Sequence, residues 1–175
     1  MVILRPTQKL KALLATRQPA PGGSDTALGD WYVNRLVLDR KPLLILVSST
    51  SLLPLLVPAR DVQGLAGRLP ALVGQRLYRL GIDAATIDAE LHAMSLVTVA
   101  PTADRSVVGT MIDFASAVPY HLDPGALSEM TLPATEDWLA QTPCRASKRE
   151  ERVIFPDKKA PELLYAKWGR RRTVH

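Results

Sequence analysis

The chain has 175 residues, 47% apolar, 22% charged and 5% aromatic. That is enough for one domain whose core rests on aliphatic side chains. A single cysteine, Cys144, excludes an internal disulfide and a cysteine metal cluster and fits a reducing, cytoplasmic setting. The net charge of +5 lies at one end: residues 1–142 hold 12 basic and 13 acidic side chains (net −1), and residues 143–175 hold 10 and 4 (net +6). This excludes a globally basic nucleic-acid-binding domain and predicts a basic tail on a near-neutral body.

In chain order, Val2 to Leu4 predicts a short strand closed by Pro6, a start too soon interrupted for a signal peptide. Thr7 is placed to cap a helix over about 8–16, with Leu10, Leu13 and Leu14 at helical spacing. Residues 18–28, with Pro19, Pro21, Gly22 and Gly23, read as a loop. Trp31 to Leu38 is β-branched and aromatic enough for a strand. Lys41-Pro42 then turns the chain into Leu43–Ser48, which has no polar face and is expected to be buried on both sides. Leu52 to Val57 predicts a third strand, and Pro54, with no N–H to donate, puts it at an edge or bulge. The uncharged run from Pro42 to Ala59 is thus two strands of a meander and not a membrane span.

The second half predicts helices. Asp61 opens one to about Leu80, with a stripe of Val62, Leu65, Leu69, Leu72, Val73 and Leu77, and Gly81 stops it. Asp83 caps a shorter helix carrying Ile87, Leu91 and Met94. Leu96 to Val99 is a fourth strand, and Asp104 caps a helix over about 105–117. From Pro119 onward, prolines break up the chain. The expected architecture is α+β: an antiparallel sheet of three to five strands covered by helices. A body over residues 1–125 precedes a proline-interrupted basic tail over 126–175, and the apolar stripes end before about residue 120.

Two segments place polar groups in apolar frames, where they need a structural or functional reason. These are Asp30-Trp31-x-x-Asn34 with the hairpin Asp39-Arg40-Lys41, and Arg105-Ser106-Val107-x-Gly109-x-Met111-x-Asp113. Together they resemble a bacterial domain-of-unknown-function family, over about residues 1–120. The chain differs from that family's pattern at Tyr32, where histidine is common, and at Ile112, where asparagine is common. The resemblance implies no activity.

The residues themselves leave structural and functional readings open. Trp31 and Asn34 read as a core aromatic and a loop-closing amide, or as a recognition surface. Asp39 and Arg40 make a hairpin turn. Arg105 gains nothing from the helix dipole in a first turn, so it is expected to pair with Asp39 or Asp113, or to hold an anion. Gly109 is expected to let its helix pack closely on the sheet. No metal set, nucleophile pair, phosphate loop or cofactor motif appears. In the tail, Arg145, Lys148, Arg149, Arg152, Lys158, Lys159, Lys167, Arg170, Arg171 and Arg172 alternate with Phe155, Tyr165 and Trp168. That pattern suits a nucleic acid or an acidic protein partner, or a solvated tail with a helix from Pro161 to Trp168 docked on the body. The leading function is a small non-catalytic binding or regulatory module of the bacterial cytoplasm, with no cofactor, metal or membrane. The alternative is an enzyme on an anionic or nucleic-acid substrate, using the Arg and Asp residues of the two motifs.

Overall fold

The computed structural model describes residues 1–14, 22–122, 125–145 and 151–169. Five strands, β1 (Val2–Pro6), β2 (Trp31–Leu38), β3 (Lys41–Ser48), β4 (Pro54–Pro58) and β5 (Val97–Val99), form one sheet in the order β4-β3-β2-β1-β5. The helices are α1 (Gln8–Lys11), α2 (Leu65–Arg79), α3 (Ala84–Ala93), α4 (Arg105–His121), α5 (Leu132–Ala140) and α6 (Pro156–Trp168). β6 (Cys144–Arg145) and β7 (Val153–Ile154) form a separate two-stranded ladder. Among the described residues no helix is long and apolar enough to cross a membrane.

The class is α+β as expected, but the sheet is mixed. β2, β3 and β4 form the antiparallel meander, whereas β1 pairs in parallel with both β2 and β5. A parallel neighbour needs a crossover, and the chain supplies two: residues 7–30 lead from β1 to β2, and α2 with α3 leads from β4 to β5. Strand direction leaves no trace in hydrophobic periodicity, so the sequence pattern did not reveal it. The β2–β3 turn sits at Asp39 and Arg40, both at positive φ (49° and 62°), and Pro42 lies inside β3. A two-residue loop of this kind matches the twist of the paired strands.

Side chains of β3 point alternately into two cores. Leu44 and Leu46 face a core that holds Trp31, Val33, the α2 stripe Leu65, Leu69, Val73 and Leu77, and Ala160 and Leu164 of α6. Leu43, Ile45 and Val47 face the other, with Tyr32, Val107, Met111, Phe114 and Val118 of α4, and Leu132 and Leu139 of α5. The non-alternating strand is thus buried on both faces, and Pro54 does stand on the edge strand.

The apolar stripes do not end near residue 120. Leu132, Leu139, Ile154, Ala160 and Leu164 are all buried. Prolines near the N-termini of α5 and α6 open those helices instead of breaking the chain, because a first-turn residue has no intrahelical use for its N–H. The helix expected from Pro161 begins five residues earlier, at Pro156. The helix expected over 8–16 is seen to Lys11, and residues from 15 lie outside the described set. Asp83 and Asp104 cap α3 and α4 by accepting from Thr86 N and Ser106 N. Thr7 makes no cap bond; its hydroxyl donates to Asn34 Oδ1 at 2.8 Å.

Candidate functional site: a cationic cleft at the outer sheet edge

The residues singled out from the sequence do not gather in one place. Trp31 is fully buried, and its Nε1–H has no partner among the described residues. Asn34 is half-buried and accepts from Thr7 Oγ1 and Arg35 N. Asp39, in the exposed turn, accepts from Gly125 N at 2.9 Å. Arg40, Arg105 and Asp113 are exposed. No described hydrogen bond or ion pair joins any two of these six. The expected pairing of Arg105 with Asp39 or Asp113 is therefore absent among the described residues: eight positions separate Arg105 from Asp113, about 12 Å along a helix, and Asp39 is engaged elsewhere. Gly109 does not pack on the sheet either, since a Cβ there would meet nothing within 4 Å.

In the tail, Arg145, Arg152 and Lys158 are exposed. Lys158 lies over the Phe155 ring and Lys167 over Trp168, at 5.2 and 5.1 Å. Lys159 is held by Glu151 and Glu162 at 3.3 and 2.8 Å, which raises its pKa, chiefly through the hydrogen bond to Glu162. Lys148, Arg149, Arg170, Arg171 and Arg172 lie outside the described residues.

The two sequence motifs do meet, but through residues whose polar groups are satisfied. Asp30 accepts from Arg5 Nε and from Ser24 Oγ (2.6 Å), and its own N–H donates to Ser49 Oγ. The Tyr32 hydroxyl accepts from Asp104 N at 2.9 Å and Ala103 N at 3.4 Å. Burial pushes the Tyr32 phenol above its ordinary pKa. The first motif thus fixes the start of the helix that carries the second. This knot is a brace, with its donors and acceptors turned on one another.

A different region is open. The outer edge of β4 is blunted: Pro54 and Pro58 have no N–H, and the Leu56 N–H donates to Glu136 Oε1 at 2.7 Å. Such an edge rejects an added strand. Beside it runs a cleft in two lobes of about 340 and 550 Å³ that share Pro58, Arg60, Glu129 and Leu132 in their linings. Its floor includes Leu55, Leu56, Val57, Leu72 and Leu132. Its charged lining is Lys41, Arg60, Arg68, Arg79, Glu129 and Glu136, four cations against two carboxylates.

The carboxylates are already committed. Glu129 meets Arg60 at 2.7 Å. Glu136 is held by Arg79, with Arg76 Nε at 3.8 Å behind it. Burial pushes the Glu136 carboxyl up and the Arg76 guanidinium down, and each pulls the other back. Arg68 donates to Asp61 O at 2.8 Å, while its Nε–H is buried without a partner among the described residues. Sequence reasoning missed this site because it followed only the apolar stripe of α2. Arg68, Gln75 and Arg79 were a readable signal, standing at helical spacing on a neighbouring face.

Residues 3–159 match the family described as a domain of unknown function, DUF6933, and the chain belongs to that family. The match continues through α5 and into α6, well past the 1–120 expected from the motifs. No curated protein and no solved structure matches the chain.

Proposed function

We propose that this protein is a non-catalytic binding or regulatory module of the bacterial cytoplasm that takes an anionic ligand with an apolar portion in the cleft along β4, α2 and α5. The observation that supports this reading is the lining itself: net +2 over an apolar floor, within residues 1–142 whose net charge is −1. Guanidinium groups match carboxylate, phosphate or sulfonate in a two-point geometry. An alkyl or aryl portion gains about 25 cal/mol for each Å² of apolar surface it covers. Because the edge strand is blunted, recognition rests on side chains. Titration with 1-anilinonaphthalene-8-sulfonate, an anionic aromatic probe, is expected to give saturable fluorescence that decanoate competes away. Arg68→Glu should weaken it by about tenfold or more, about 1.4 kcal/mol, and Arg35→Glu on the exposed part of β2 should not. Equal binding by wild type, Arg60→Glu and Arg68→Glu would remove the cleft as the site.

A further inference from the structure

The outer face of α4 is self-complementary, and we infer that it pairs with the same face of a second copy, antiparallel, with the two-fold axis at Gly109. This rests on observations separate from the cleft. Arg105, Gly109, Ile112, Asp113, Ser116 and Tyr120 follow one another at helical spacing, opposite the buried Val107, Met111, Phe114 and Val118. A glycine in a helix interior is destabilising relative to alanine, and here nothing among the described residues requires one, since a Cβ would meet none of their atoms within 4 Å. Close approach of a second backbone does require one.

The charges give the orientation. Arg105 and Asp113 are both exposed, and neither has an ion-pair partner among the described residues. They stand four residues before and four after Gly109, about 6 Å along the axis on either side. Within one helix they cannot reach each other. Across an antiparallel two-fold at Gly109, Arg105 of each copy comes level with Asp113 of the other, giving two equivalent ion pairs. Ile112, 52% exposed, supplies apolar contact beside the axis. Ser116 has its hydroxyl turned back to Ile112 O at 3.0 Å, so it presents no unmet polar group. A parallel pair would set Arg105 against Arg105 and Asp113 against Asp113, which like-charge repulsion opposes.

One helix stripe buries less than the roughly 1,200 Å² typical of stable complexes. The dimer is therefore weak, with Kd on the order of 10–100 µM, and salt-sensitive because its ion pairs are exposed. Sedimentation equilibrium of the full chain from about 5 to about 500 µM tests it, with circular dichroism confirming that each variant folds. Arg105→Asp and Asp113→Arg should each weaken dimerisation by about tenfold or more, and the double swap should recover it to within about threefold. Gly109→Leu, placed in open space in the monomer, should abolish it. A wild type that stays monomeric throughout overturns the proposal. So do single variants that dimerise like wild type, or a double swap that stays as weak as either single.

Discussion

Glu90 on α3 and Glu136 on α5 are both buried carboxylates that tie distant parts of the chain together, yet their partners differ in kind. Glu90 accepts from Ala27 N and Leu28 N at 2.8 and 3.0 Å, and from Trp168 Nε1 at 2.6 Å. All three donors are neutral, and the carboxylate is fully buried. Glu136 accepts from one neutral donor, Leu56 N, and otherwise faces Arg76 and Arg79. A neutral-donor lock satisfies the carboxylate without bringing in a counter-charge, so it can close a face completely. A cation-paired lock brings in guanidinium groups, and one of them, Arg79, reaches the surface and lines the cleft. The same residue type at similar burial makes scaffold in one place and borders a site in the other.

The largest expected effect breaks the charged lock. Arg76 is fully buried and also holds Asp137 at 2.6 Å. Removing it strands the Glu136 charge, with only Arg79 left to pair it. Arg76→Met is expected to lose about 3–5 kcal/mol, read as a lower urea midpoint at unchanged slope. Combining it with Glu136→Gln, which keeps an acceptor for the Leu56 N–H, should cost clearly less than the two single losses added together. Strict additivity would mean that the two groups do not act as a pair, and the contrast with Glu90 would lose its basis.

A smaller effect breaks the neutral lock. Glu90→Ala leaves two buried donors and the half-buried Trp168 Nε1–H without their acceptor, and about 2–3 kcal/mol is expected. Trp168→Phe removes one donor and leaves Glu90 the other two, at about 1 kcal/mol. Thermal unfolding monitored by circular dichroism reads both. If Glu90→Ala unfolds at the wild-type temperature, water replaces the carboxylate freely and it is no lock. The Trp168 result also asks how firmly the last helix belongs to the body, since Ala160 and Leu164 are fully buried in the same core.

Much of the scaffold was legible in the sequence. The meander, the doubly buried β3, the edge position of β4 and the caps at Asp83 and Asp104 each follow from a local signal, whether a lack of alternation, a proline or an Asp before an apolar run. The parallel placement of β1 was not legible, because two short apolar strands carry no mark of direction. After Pro119, α5 was hidden and α6 was legible only from Pro161 on, because proline reads as a breaker unless its place in the first turn is known. The cleft was the least legible part. Lys41, Arg60, Arg68 and Arg79 come from three separate segments, and only the fold brings them together. The motif residues Asp30 and Tyr32 stood out for a structural reason, as the brace between β1, β2 and the start of α4.

The smallest effect sharpens the comparison with a third carboxylate, the exposed Asp83. Its side chain accepts from Thr86 Oγ1 at 2.8 Å and Thr86 N at 3.0 Å, and those bonds hold its pKa below the ordinary aspartate value. A folded-state pKa lower than the unfolded one means that the unfolded chain binds the proton more readily. The stabilisation is therefore complete above the ordinary value of about 3.9 and is lost as pH falls through the lower folded value. Asp83→Asn keeps a capping oxygen but removes the titration. The urea midpoint of wild type minus that of Asp83→Asn should hold steady from about pH 7 to 5 and move toward the variant below about pH 4. Because this carboxylate is solvated, the movement should be slight beside the loss from Arg76→Met. A difference that stays constant down to about pH 2 would show that the folded state does not favour the charged form at Asp83, leaving the cap to geometry alone.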